Sequence, residues 1–94
     1  MERGPSLGKD VVHSDPESAE LAVTRRRLVA ELTPYERNTL WLFASGMHRR
    51  DIAERLRRTP KTISNCLTIA KEKLGARSLA EAAALLVATI HSAS

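Results

Sequence analysis

The sequence predicts an all-α domain: four helices at about 33–45, 49–57, 60–74 and 78–91, preceded by an extra helix at about 16–30. Three observations carry that prediction. Helix-start signatures recur, as Thr33-Pro34-Tyr35-Glu36, as Thr59-Pro60, and as Ser78 with Glu81 three residues on. Each puts a capping side chain at the head of an apolar-periodic run. Within those runs the apolar residues return at about 100° per residue, the helical period. Gly46 and Gly75 stand where two of the runs stop, and glycine takes the left-handed backbone of a helix end without steric cost.

Composition narrows the class. Ninety-four residues suffice for one small domain with a thin core, since a chain of this size buries only about 60–65 % of its unfolded surface. Fifteen Lys+Arg against eleven Asp+Glu give a net charge of +4, a modest bias toward a polyanionic partner. One cysteine excludes an internal disulfide and any multi-cysteine metal site, which fits a reducing cytosol. No apolar run approaches the length of a membrane span and no secretory pattern opens the chain, so a cytoplasmic protein is expected. Nothing pairs a nucleophile with a base, forms a phosphate-cradling glycine loop or sets two carboxylates together. The expectation is a non-enzyme without cofactor or metal.

Residues 1–14, with Gly4, Pro5, Ser6, Gly8 and scattered charges, read as a flexible tail. Residues 15–31 read as a linker or extra helix, with Asp15 as cap, Pro16 in the first turn, and Leu21, Leu28 and Val29 as packing residues. Arg25, Arg26 and Arg27 lie between them, a run that is either a phosphate contact or an ordinary solvated face. Residues 32–94 form the domain proper. Thr33, Pro34 and Glu36 compose a capping box. The following Leu40-Trp41-Leu42-Phe43-Ala44 is too apolar for a helix with one wet side. Trp41 is therefore expected to face the 15–30 segment, a second subunit or, in part, solvent.

The stretch 47–74 reads as two helices joined by a very short break. In the first, Ile52, Ala53 and Leu56 share a side, with the small Ala53 suited to a close crossing. In the second, Ile63, Leu67, Ala70 and Leu74 make a narrow apolar stripe. Lys61, Ser64, Asn65, Thr68 and Lys71 fall opposite. Such a face fits the roughly 12 Å major groove, with short polar groups for base edges and lysines for phosphates. It equally describes a solvated surface. The last helix is apolar on two sides, Leu79, Ala82, Ala83, Leu86 and Ile90 on one and Ala84, Leu85 and Ala88 on the other. The larger residues of the first side are expected to face the core, and the second to pair with another subunit.

From Leu32 to about Ile90 the chain resembles the DNA-binding domain of the LuxR/GerE (NarL-type) bacterial regulators. The matching pieces are LTPYERNTL at 32–40, ASG at 44–46, DIAERL at 51–56, KTIS at 61–64, KEKLG at 71–75 and RSLAEAAAL at 77–85, in the family's order and spacing. The resemblance implies a helix-turn-helix transcriptional regulator of bacterial cytoplasm, with double-stranded DNA as partner. It implies base contacts from Ser64, Asn65 and Thr68. Backbone contacts would come from His48, Arg49, Thr59, Lys61, Thr62 and Lys71. Pairing would run through Ala84, Leu85 and Ala88 of the last helix, as a homodimer or only on DNA, on half-sites about one helical turn apart.

Four positions depart from the family pattern. His48 stands where a serine cap is frequent, and Arg58 where an apolar plug is usual. Thr39 replaces an apolar residue and Cys66 a frequent histidine. An isolated histidine without carboxylate or thiol neighbours is a poor metal ligand, and a lone half-buried cysteine reads as packing before redox sensing. Two other functions share the sequence features: a sigma-factor region 4-like promoter-binding module, and a helix-turn-helix derivative that sequesters another regulator. No receiver or ligand domain fits in 1–31, so the chain is either a single-domain regulator governed by abundance or a partner, or a fragment.

Overall fold

The computed structural model describes residues 16–93, all helical where regular, with side chains from 20 to 91. In chain order the helices are α1 (Pro16–Ala30), α2 (Pro34–Ala44), α3 (Arg49–Leu56), α4 (Pro60–Lys73) and α5 (Leu79–Ala93). All five expected helices are present, with ends shifted by a residue or two. The tail expected at 1–14 lies outside the described residues.

The hub is α2. Both α4 and α5 pack mainly on it, α3 crosses α4 as the helix-turn-helix pair, and α1 lies against α5. The core this arrangement closes holds Leu40 of α2, Ile52 and Ala53 of α3, Ile63, Leu67 and Ala70 of α4, and Ala82 and Leu86 of α5, with Val29, Leu32 and Leu74 at its edge. Fully burying a leucine or isoleucine contributes about 1.5–3 kcal/mol, so a handful of these side chains supplies most of what orients α4.

Local chemistry sets where α2 and α4 begin. Thr33 Oγ1 accepts from the Glu36 N–H at 3.1 Å while the Thr33 N–H donates to Glu36 Oε1 at 2.9 Å, the reciprocal box the sequence predicts. Thr59 Oγ1 accepts from the Thr62 N–H at 3.2 Å. At α5, Ser78 Oγ accepts from the Glu81 N–H at 3.0 Å. Glu81, however, reaches past Ser78 to the Arg77 N–H, so this box closes one residue early. His48 supplies no side-chain cap to α3.

Three helices end alike. In α2 the Gly46 and Met47 N–H groups donate to the Phe43 and Leu42 carbonyls, and in α4 those of Gly75 and Ala76 donate to Glu72 and Lys71. In α3, Arg57 and Arg58 donate to Glu54 and Ala53 in the same pattern. The residue on the left-handed backbone is Gly46, Gly75 and, in α3, Arg57 at φ 59°.

Some packing expectations need correction. Leu21 is exposed, because α1 docks only its C-terminal part, Leu28 and Val29, onto the core. Ile90, expected inside, is 37 % exposed, since it sits where α5 runs toward its end and the core thins. Trp41 remains 38 % exposed. It forms with Pro34, Arg37, Asn38 and Ile90 an open cleft of about 380 Å³. Leu85 is half-buried and packs against the core, while Ala84 and Ala88 are exposed.

Candidate nucleic-acid interface

The exposed face of α4 is narrow and continuous. Lys61, Asn65 and Thr68 are exposed at helical spacing, with Ser64 and Lys71 half-buried along one margin and Thr62 along the other. On the opposite side Ile63, Cys66, Leu67 and Ala70 are buried. The stripe therefore holds the helix down while the polar groups stand clear of the domain. Of the base-contact residues expected from sequence, Asn65 and Thr68 are fully presented and Ser64 lies at the margin.

Except for Lys71, which lies in the last turn of α4, the residues expected at the DNA backbone gather at two helix N-termini. Thr59 and Thr62 hydroxyls lie 3.0 Å apart. One O–H suffices to bridge them, which leaves the other free to donate outward to an anion. Lys61 is exposed beside them. At α3, His48 gives no side-chain cap and Asp51 already sets a carboxylate in the first turn, so the helix dipole there is partly met before any anion arrives. Arg49 is exposed there, its guanidinium carbon 5.6 Å from the Phe43 ring centroid, a distance at which the ring steadies the cation. From 48 to 61 the chain carries six Lys/Arg and two carboxylates, a denser positive charge than the whole protein shows.

Two residues on this face escape a reading based on residue type. Ile69 is 43 % exposed, and Glu72 is exposed one turn beyond Thr68. A helical projection that counted every position would have placed both. The carboxylate of Glu72 opposes phosphate, so the half of α4 suited to a polyanion is its N-terminal half.

Behind the face, the departures from the family pattern are accommodated. Arg58 lays its guanidinium 5.5 Å from the Tyr35 ring centroid, so the long side chain covers the aromatic surface that an apolar plug would cover. Thr39 is fully buried, and its Oγ1 donates to the Tyr35 carbonyl at 2.8 Å. Cys66, buried on α4, lies close enough to Thr39 of α2 for the hydroxyl to act on its thiol. Two departures that look like separate losses are thus neighbours. Burial pushes the Cys66 thiol up; the Glu36 charge adds to this, and the Thr39 hydroxyl and Lys73 only partly oppose it. A raised thiol is a weak nucleophile.

Lys73 links the far end of α4 to the start of α2, donating to Glu36 Oε1 at 2.8 Å. Partial burial acts to raise the Glu36 carboxyl, but the Lys73 and Thr33 hydrogen bonds and the Lys73 charge outweigh it and hold the group below its ordinary value. Among the described residues no group of three His, Cys, Asp or Glu could hold a metal ion, and no helix is long and apolar enough to cross a membrane.

A bundle in which one helix is pinned by a tight turn and shows a polar, cation-flanked face to solvent is a helix-turn-helix domain. Comparison with protein families matches residues 30–86 to GerE, the bacterial regulatory proteins of the luxR family. The chain belongs to that family, and its domain is a DNA-binding one. Neither the curated proteins nor the solved structures give a significant match. The matched span takes in α2 to α4 and about half of α5, and leaves α1 before Ala30 outside.

Proposed function

We propose that this protein is a sequence-specific transcriptional regulator that reads the major groove with α4. The observation that supports this best is the side-by-side exposure of Lys61, Asn65 and Thr68 on a helix otherwise locked into the core. Asn65, Thr68 and Ser64 meet base edges; Lys61, Thr62, Thr59 and Lys71 position the backbone, together with His48 and Arg49 at the start of α3. Two copies pair on DNA through the exposed small residues of α5, Ala84 and Ala88, with Leu85 at the margin of the contact. One short helix pair buries less than a standard interface, so the subunits meet mainly when adjacent half-sites hold them together.

Selection of genomic fragments by the purified protein, followed by affinity measurement at several salt concentrations, tests this reading. A shared inverted repeat is expected, with half-sites about one helical turn apart and affinity that falls steeply with salt. Recovery of unrelated fragments with equal affinity would remove the sequence-specific reading, and no binding at low salt would favour the sequestering module.

A further inference from the structure

α2, α3 and α4 end in one hydrogen-bond pattern, and the left-handed residue is glycine in two of them and Arg57 in the third. No other non-glycine residue among those described has a positive φ. A side chain on left-handed backbone crowds its own carbonyl, so glycine would serve the turn better. Among the described residues nothing compensates. The Arg57 side chain is exposed and, among the described residues, has no hydrogen-bond, ion-pair or ring partner. Its neighbour Arg58 is already engaged with Tyr35.

We infer that Arg57 is a further DNA-backbone contact, an arginine kept at a strained turn for the phosphate it meets. Strain held at an exposed position is a reason to look for function there. Arg57 stands two residues before Thr59 and four before Lys61, and the chain spans at most about 3.5 Å per residue. An extended guanidinium thus reaches phosphates on the strand that the start of α4 approaches, and its fork suits two phosphate oxygens. The inference rests on the DNA reading above and adds to it a contact at the turn itself.

The test compares wild type, Arg57→Gly and Arg57→Lys by thermal unfolding and by titration of a selected and a random duplex at several salt concentrations. Arg57→Gly should melt roughly 2–6 °C higher through loss of the strain. It should bind both duplexes about 3–10-fold more weakly, with a salt slope shallower by about 0.9, one phosphate's worth. Arg57→Lys should keep the slope and gain no stability. Unchanged affinity and slope in Arg57→Gly would overturn the contact, and a melting point no higher than wild type would overturn the strain argument. Failure of the wild type to bind any duplex is a separate result, and removes the DNA reading first.

Discussion

α4 and α5 are close in length, fourteen and fifteen residues, and both lean on α2, yet their outward surfaces have opposite character. α4 turns Lys61, Asn65, Thr68 and Glu72 to solvent, groups that water or a polar ligand satisfies, with Ile69 the one large exposed apolar side chain among them. α5 turns Ala80, Ala84 and Ala88 outward, four residues apart, with Glu81 of the first turn as the charged group beside them. A low, apolar strip gains little from water and lets another helix approach closely. On the proposed function, the contrast divides the molecule into a side for a polar polyanion and a side that suits a protein surface. Family membership covers the first side fully; the second is where this chain's own residues decide.

The largest effect that tests the division is on stability. Leu86 of α5 and Leu67 of α4 are fully buried, so Leu86→Asp or Leu67→Asp sets a charge in the core. Each should cost more than about 4 kcal/mol and unfold the domain. Ala88→Asp, on the side of α5 opposite Leu86, should stay within about 0.5 kcal/mol of wild type while abolishing cooperative occupation of paired half-sites. Circular dichroism and binding to one and two half-sites separate the two results. A folded Leu86→Asp, or an Ala88→Asp that still binds cooperatively, means that α5 does not divide into an inner and a pairing side as drawn.

Next in size is recognition by α4. Asn65→Ala should weaken a selected site by about 1–3 kcal/mol and leave random DNA nearly unchanged, because a base contact carries sequence information. Lys61→Ala should lower both affinities and flatten the salt slope by about 0.9. Fluorescence anisotropy on both duplexes reads the difference. Equal losses for Asn65→Ala on both would show that the face grips without reading.

Legibility followed locality. The starts of α2 and α4 and the glycine ends of α2 and α4 were readable because caps act within a few residues, and the stripe of α4 because a full helix repeats it. The exposure of Ile90 and Leu21 was not, since it depends on where neighbouring helices stop rather than on the residues' own period. Thr39 and Cys66 read as two unrelated departures because they are distant in sequence and meet only when α4 crosses α2. Arg57 gave no signal, as a left-handed arginine is set by the hydrogen bonds of the turn and not by its side chain. On the exposed face of α4, the outward polar positions were legible from helical spacing, while Ile69 and Glu72 were missed by sorting residues on chemistry before geometry.

The smallest effect concerns what holds α4 at its working angle. The Glu36–Lys73 pair joins the head of α2 to the last turn of α4, and among the described residues α5 has no comparable ion pair to α2. Glu36→Gln keeps a side chain able to complete the capping box but removes the charge that Lys73 meets. Because Lys73 is about one-third exposed, solvent screens the pair, and the loss at neutral pH should be only about 0.5–1 kcal/mol. The Glu36 carboxyl lies below its ordinary 4.5 when folded. A carboxylate depressed by folding stabilises the native state above its unfolded pKa, and that stability disappears as pH falls through the lower, folded value. Urea unfolding of wild type and Glu36→Gln should therefore show a gap that is full at pH 7, begins to narrow near pH 4.5 and closes below the folded pKa. A gap that stays constant down to pH 3 would assign the loss to cap geometry instead of charge, and no gap at pH 7 would mean that the packing of Ile63, Leu67 and Ala70 sets the angle of α4 unaided.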